Sequence, residues 1–293
     1  MRRFAAIALA TAFELFNDSL SLLLTTAALS LAVFSPAFHY HQFGEATRMA
    51  RDAGLSAMLF GSLAFAVFGT VRTFRREIES GTVAVALSHP VSRRVFFLAK
   101  FAGCSLATLG FAAIVGAAAA TSVTGAAIGG AIADASGDIA KIWGPSYALG
   151  VATVFVPYPA GAALNRFAGF RFQPTAFAVS ALLAFGGMCY RFDASLVSRL
   201  LPAAALATVP AVSFAAFAAA AATRLRDSQA LTATGLMLLA FVPAIGNYWL
   251  SDALSGGGTI PLAYAFGALA AAAAPALAFL FAGIRLFDGL DLP

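Results

Sequence analysis

Residues Arg72–Lys100 read RTFRREIESGTVAVALSHPVSRRVFFLAK, and this is the densest charged stretch in a chain only 11% of whose 293 residues are charged. Long apolar runs flank it on both sides. A polar, Arg-rich insert between two apolar segments belongs in water, and the excess of Lys and Arg on the inner side of membranes places it in the cytoplasm. The fold class follows from what surrounds it. The chain is 61% hydrophobic with a mean hydropathy of +0.87. A soluble domain is nearer half apolar and about 25% charged. The expected fold is therefore an all-α integral membrane protein, a polytopic helix bundle.

A span needs about 20 mostly apolar residues. Residues 2–17 fall short and read as an amphipathic surface helix. Phe4, Ile7, Ala8 and Leu15 share one face, with Arg2, Arg3, Glu14, Asn17 and Asp18 elsewhere. Eight spans are then expected: Ser19–Phe38, Gly54–Val71, Phe101–Thr121, residues 144–163 (broken by Pro157 and Pro159), Pro174–Tyr190, Leu200–Ala222, Ser228–Leu250 and Ile260–Ile284. Six is the alternative, because the fourth and fifth candidates are short and flanked by proline. With both termini in the cytoplasm, thirteen of the 18 basic residues fall on inner segments. Only Arg48, Arg51, Lys141, Arg191 and Arg199 lie outside. Residues 1–293 then form a single transmembrane domain, with 2–17 as a surface helix and 72–100 as a cytoplasmic segment.

The net charge of +5 is read as Lys and Arg at span ends and near anionic lipid, not as a nucleic-acid surface. Cys104 and Cys189 fall inside expected spans and have no metal-ligand spacing. His39-Tyr40-His41 lacks a third ligand and reads as a solvated loop. No Asp, Glu, His, Lys or Arg lies inside any expected span, although ion-coupled carriers hold such groups at membrane depth. The sequence contains no G-x-x-x-x-G-K-[ST] phosphate loop, no H-E-x-x-H pair and no G-x-S-x-G elbow. Glu77 and Glu79 are two residues apart, so on a helix they face different ways and do not make a general acid/base pair. The chain is read as non-catalytic, binding no cofactor or metal of its own.

Within the central stretch, Gly81 is placed to end one helix and Thr82 to cap a second, short one. Val83, Val85 and Leu87 give that helix an apolar series. Pro90 stops it, and Ser92 caps the next helix. A short surface helix of this kind fits a groove in a partner protein.

Arg76-Glu77-Ile78-Glu79-Ser80-Gly81-Thr82, then Leu87-Ser88-His89-Pro90-Val91-Ser92-Arg93, then Lys100-Phe101-Ala102-Gly103 resembles the signature of ABC-2 type transporter permeases. The family pattern is Glu-x-x-x-Gly-Thr, Leu-x-x-Pro-Val-Ser-Arg and Lys-x-x-Gly entering the next span. Residues 44–55 and the second span are similar to the subgroup that includes the permease of the nitrous-oxide-reductase maturation transporter. The match covers roughly residues 1–105. It departs from the family at His89 and in the count of eight spans where six are usual. The resemblance implies the membrane subunit of an ATP-driven exporter in a bacterial cytoplasmic membrane. It implies a second permease copy, identical or paralogous, and a separate ATPase subunit that holds ATP and Mg. It assigns Glu77, Glu79, Gly81, Thr82, Pro90, Ser92 and Arg93 to coupling with that subunit. The competing expectations are a self-contained secondary carrier and a membrane anchor with no ATPase coupling.

Overall fold

The structure is a computed structural model that describes residues 2–35, 46–88, 91–136, 145–190, 194–245 and 262–290. Among them all regular structure is helical. In chain order the helices are α1 (Arg2–Phe16), α2 (Ser19–Phe34), α3 (Ala46–Glu79), α4 (Thr82–Ser88), α5 (Arg93–Ser136), α6 (Pro145–Phe155), α7 (Pro157–Ala168), α8 (Phe172–Tyr190), α9 (Ala194–Ala222), α10 (Asp227–Ile245) and α11 (Leu262–Asp288). Among the described residues, five helical stretches are long and apolar enough to cross a membrane. They lie in α3, α5, α8, α9 and α11. Counting the bent pairs α1–α2 and α6–α7 as one span each gives seven. The expected seventh span, Ser228–Leu250, falls on α10 and on residues 246–250, which lie outside the described residues. His39, His41, His89, Pro90, Lys141 and Arg191 lie outside the described residues.

Several boundaries differ from the sequence reading. Residues 46–53, expected as loop, form the first two turns of α3. They contain no glycine before Gly54 and no proline, and Arg48 and Asp52 lie 3.9 Å apart at i, i+4 spacing. Helix α5 runs on through the Gly/Ala-rich residues 122–136, where the alanines offset the glycines. At 34 and 44 residues, α3 and α5 span about 50 and 65 Å, well beyond the ~30 Å hydrocarbon thickness. Their charged ends therefore have helix to spare outside an apolar layer. The break expected at Pro157 is present: α6 and α7 meet there at 48°, with Pro157 opening α7.

The chain divides into two compact units, the first comprising Met1–Leu15, Ser62–Leu109 and Leu206–Pro293. In it Val71, Ala218 and Ala230 pack together from α3, α9 and α10. The rings of Phe74, Phe97 and Phe287 join α3, α5 and α11, with centroids 5.2 and 5.7 Å apart. Helix α1 buries Ala8, Thr11, Ala12 and Leu15, an i, i+3, i+4, i+7 stripe. Of the four residues expected to share an apolar face, Ala8 and Leu15 are buried, Ile7 is half-buried and Phe4 is exposed. Leu9 and Phe13 are exposed as well. The reason is at Gly103 of α5, where a Cβ would meet the Ala8 carbonyl oxygen at 2.5 Å and Thr11 Cβ at 2.6 Å. Only small residues on α1 fit so close to a backbone.

The second unit comprises Phe16–Gly61 and Gly110–Ala205. In it α2 and α6 pack together, as do α6, α7 and α8. The Thr26 hydroxyl and the Tyr158 hydroxyl share a hydrogen bond of 2.6 Å. Phe34 meets Phe155 edge-on at 6.1 Å.

Candidate functional site

All five described acidic side chains of the first unit, Glu14, Glu77, Glu79, Asp227 and Asp288, enter ion pairs with the basic residues of the central stretch. Lys100 is the most enclosed member, with 7% of its side chain exposed. It is the eighth residue of α5, two turns inside the helix, and its Nζ pairs with Glu77 Oε1 of α3. Glu14 Oε2, near the end of α1, lies 3.8 Å from the same ammonium. The Phe96 ring centroid is 6.0 Å from it. Arg76 adds a looser contact to Glu14 at 3.9 Å. One lysine thus ties together the ends of three elements.

A second set lies on another face of α3. Arg75 pairs with Glu79 one turn on and, through Nε, with Asp227 of α10 at 3.4 Å. Glu77 and Glu79 do face different ways, the first 19% exposed against Lys100 and the second 56% exposed on Arg75. A third set closes the end of α11. Arg93 Nη1 donates to the Asp288 and Leu290 carbonyls at 3.0 and 2.9 Å, and Arg94 pairs with the Asp288 carboxylate at 2.9 Å. Arg224 Nη2 donates to the Gly289 carbonyl at 2.8 Å. These cations satisfy carbonyls that a helix C-terminus leaves without partners and complement its negative dipole end.

Between α3 and α5 lies α4. The turn that frees it is made by Gly81, whose φ of +69° suits glycine. Gly81 N–H closes back onto the Ile78 carbonyl at 3.3 Å and Ser80 N–H onto Arg76 at 3.0 Å, so α3 ends where expected. Thr82 behaves otherwise than expected. Its hydroxyl bonds back to the Glu77 carbonyl at 3.3 Å and to Ser80 Oγ at 2.9 Å, so it secures the end of α3 and does not cap α4. Ser92 does cap α5, accepting from Val95 N–H at 3.4 Å. The apolar series also divides. Val83 is 1% exposed and Val85 67% exposed, because residues two apart on a helix point about 200° apart. Helix α4 therefore has one valine rooted in the unit and presents Thr82, Val85 and Ser88 outward.

Of the seven expected site residues, Glu77, Glu79, Gly81, Thr82, Ser92 and Arg93 thus lie in or next to one ion-paired hairpin, α3–α4–α5, and Pro90 lies outside the described residues. The sequence reading missed the Glu14–Lys100–Glu77 group. It took Glu14 as part of a polar face and Lys100 as a span-end charge. The available signal was Gly103, one turn beyond Lys100, which marks α5 as a helix that another backbone approaches closely. Among the described residues no group of three or more His, Cys, Asp or Glu side chains is placed to hold a metal ion. No family model, curated protein or solved structure matches the chain.

Proposed function

We propose that this chain is the membrane-spanning permease subunit of an ABC-2 type, ATP-driven exporter. The observation that carries the reading is the α3–α4–α5 hairpin. A seven-residue helix sits between two long candidate spans and shows an outward face. Its base is locked by the enclosed Lys100–Glu77 pair, so a push on α4 is delivered to α3 and α5 together. The motif from Arg76 to Gly103 supports the same reading. In it, a separate ATPase subunit holds ATP and Mg, closes on nucleotide, and moves the hairpin. Two permease copies, identical or paralogous, form the path, with both termini and α4 on the cytoplasmic side of a bacterial inner membrane. The chain has no catalytic role of its own.

Co-purification tests this. Tagged chain taken from its native membrane should bring down an ATPase, and Glu79→Arg or Pro90→Ala should weaken that association and lower transport. Recovery of no ATPase, or variants that change neither property, contradicts the proposal. One observation favours a second reading. The enclosed Lys100–Glu77 pair, with the more exposed Glu14 beside it, is the kind of ionisable site that a proton-coupled carrier employs. A self-contained carrier would show proton- or sodium-dependent flux from the purified chain alone. A membrane anchor, in contrast, would bind the ATPase and move nothing.

A further inference from the structure

Between α7 and α8 the chain turns sharply at Arg166-Phe167-Ala168-Gly169-Phe170-Arg171. Gly169 closes α7 at φ +72°, with its N–H on the Asn165 carbonyl at 3.2 Å. The Asn165 side chain donates to the Phe170 carbonyl at 2.6 Å and fastens the other limb. Just behind the turn, α7 is held close to α8. A Cβ on Gly161 would sit 3.2 Å from the Phe172 ring, and Tyr158 packs on that ring at 6.3 Å. The turn is therefore a built feature of the second unit.

Its outer surface has an unusual composition. Phe167 is 88% exposed and Phe170 58% exposed, and Arg166 and Arg171 flank them, also exposed. Residues 145–190 contain no Asp or Glu, and among the described residues neither arginine has an ion-pair partner. The turn also joins two candidate spans, the bent α6–α7 pair and α8, so it lies at a membrane–water boundary if both cross. Aromatic rings settle at that boundary with their apolar bodies among acyl chains. Arginines beside them reach the headgroup phosphates.

We propose that this turn is a binding site for anionic phospholipid, in which Arg166 and Arg171 hold the headgroup phosphate and Phe167 and Phe170 enter the acyl region. The charge balance favours a lipid headgroup: two cations, no local anion, and two large apolar rings that water would leave uncovered. The site is independent of α4 and of any ATPase.

The test uses the full chain with Phe167→Trp, reconstituted in vesicles of phosphatidylcholine containing either brominated phosphatidylglycerol or brominated phosphatidylcholine. The chain without this substitution supplies the background of its two native tryptophans. Quenching of the introduced tryptophan should be stronger with the brominated anionic lipid. The preference should fall about fivefold for each of Arg166→Ala and Arg171→Ala. Arg166→Lys with Arg171→Lys should retain most of it, which separates loss of charge from loss of fold. Inorganic phosphate added to the buffer should not reverse it. Equal quenching by the two lipids, or reversal by free phosphate, overturns the proposal. Absence of quenching by either lipid also overturns it and places the rings in water or against a protein.

Discussion

Lys100 is where a single side chain matters most. It is enclosed between the carboxylates of Glu77 and Glu14, and removing it leaves Glu77 largely buried without a counter-ion. Breaking a buried pair from one side costs about 3–5 kcal/mol, whereas replacing both partners with apolar residues is often neutral. Lys100→Ala should therefore destabilise the detergent-solubilised chain severely, and Lys100→Met combined with Glu77→Leu should recover much of the loss. Chemical unfolding of the unsubstituted chain, Lys100→Ala, Lys100→Met, Glu77→Leu and the double variant checks this. Additive losses in the double variant would mean that the two groups do not act on one another. Glu79→Gln should cost no more than about 1 kcal/mol, since the Arg75–Glu79 pair is open to solvent on the Glu79 side. That the two carboxylates face different ways was legible in their spacing, but not which of them meets a buried partner. Glu77 and Glu79 sit in equivalent surroundings along the chain, and only helical geometry, with α5 and α10 on different sides of α3, gives one a buried lysine and the other a surface arginine.

At the scale of elements, two glycines set how helices start and meet. Gly81 has φ +69° and open space where a Cβ would go, so Gly81→Ala adds backbone strain alone, about 1–2 kcal/mol. Gly103→Ala instead drives a Cβ into the Ala8 carbonyl and Thr11, neither of which can swing aside. It should cost about 1–3 kcal/mol and loosen α1 from α5. Hydrogen exchange should then rise along α1 in Gly103→Ala but not in Gly81→Ala; equal protection of α1 in both would contradict the close approach. The local elements were readable in advance because their causes are local. A glycine that ends α3, a serine that caps α5 and a proline that breaks α6 from α7 act within a turn of themselves. Thr82 was misread because two hydroxyl partners lie within reach and local pattern does not choose between them. The buried stripe of α1 was read correctly at Ala8 and Leu15 but not at Thr11 and Ala12, because small size, not hydrophobicity, selects what fits against Gly103.

Over the whole molecule, burial is uneven among the candidate spans. Within the most apolar windows 72% of residues are buried in α3 and α5, but 28% in α8 and 17% in α11. Leu277 and Phe281 of α11 and Leu182 of α8 are exposed. Lipid covering these surfaces would explain why the sequence is apolar where the chain does not pack on itself. Leu277→Lys should then lower membrane insertion of α11, by up to about 2.5–3.5 kcal/mol on an insertion scale if the position lies near mid-span. Unchanged insertion would place Leu277 outside the lipid. Hydropathy made the membrane class readable, but not the span count. Long helices such as α5 exceed the length of one crossing, and a bent pair such as α6–α7 has the form of either a broken span or a re-entrant loop.

The central claim is that α4 works from the cytoplasm, and the side of the membrane on which Ser88 lies tests it most directly. Ser88 is exposed at the end of α4. Cys189 is exposed and Cys104 buried, so the background needs Cys189→Ser and Cys104→Ala. Ser88→Cys in that background should resist a membrane-impermeant maleimide applied to intact cells and react once the membrane is opened. Labelling from outside intact cells would put α4 on the wrong side and contradict the account.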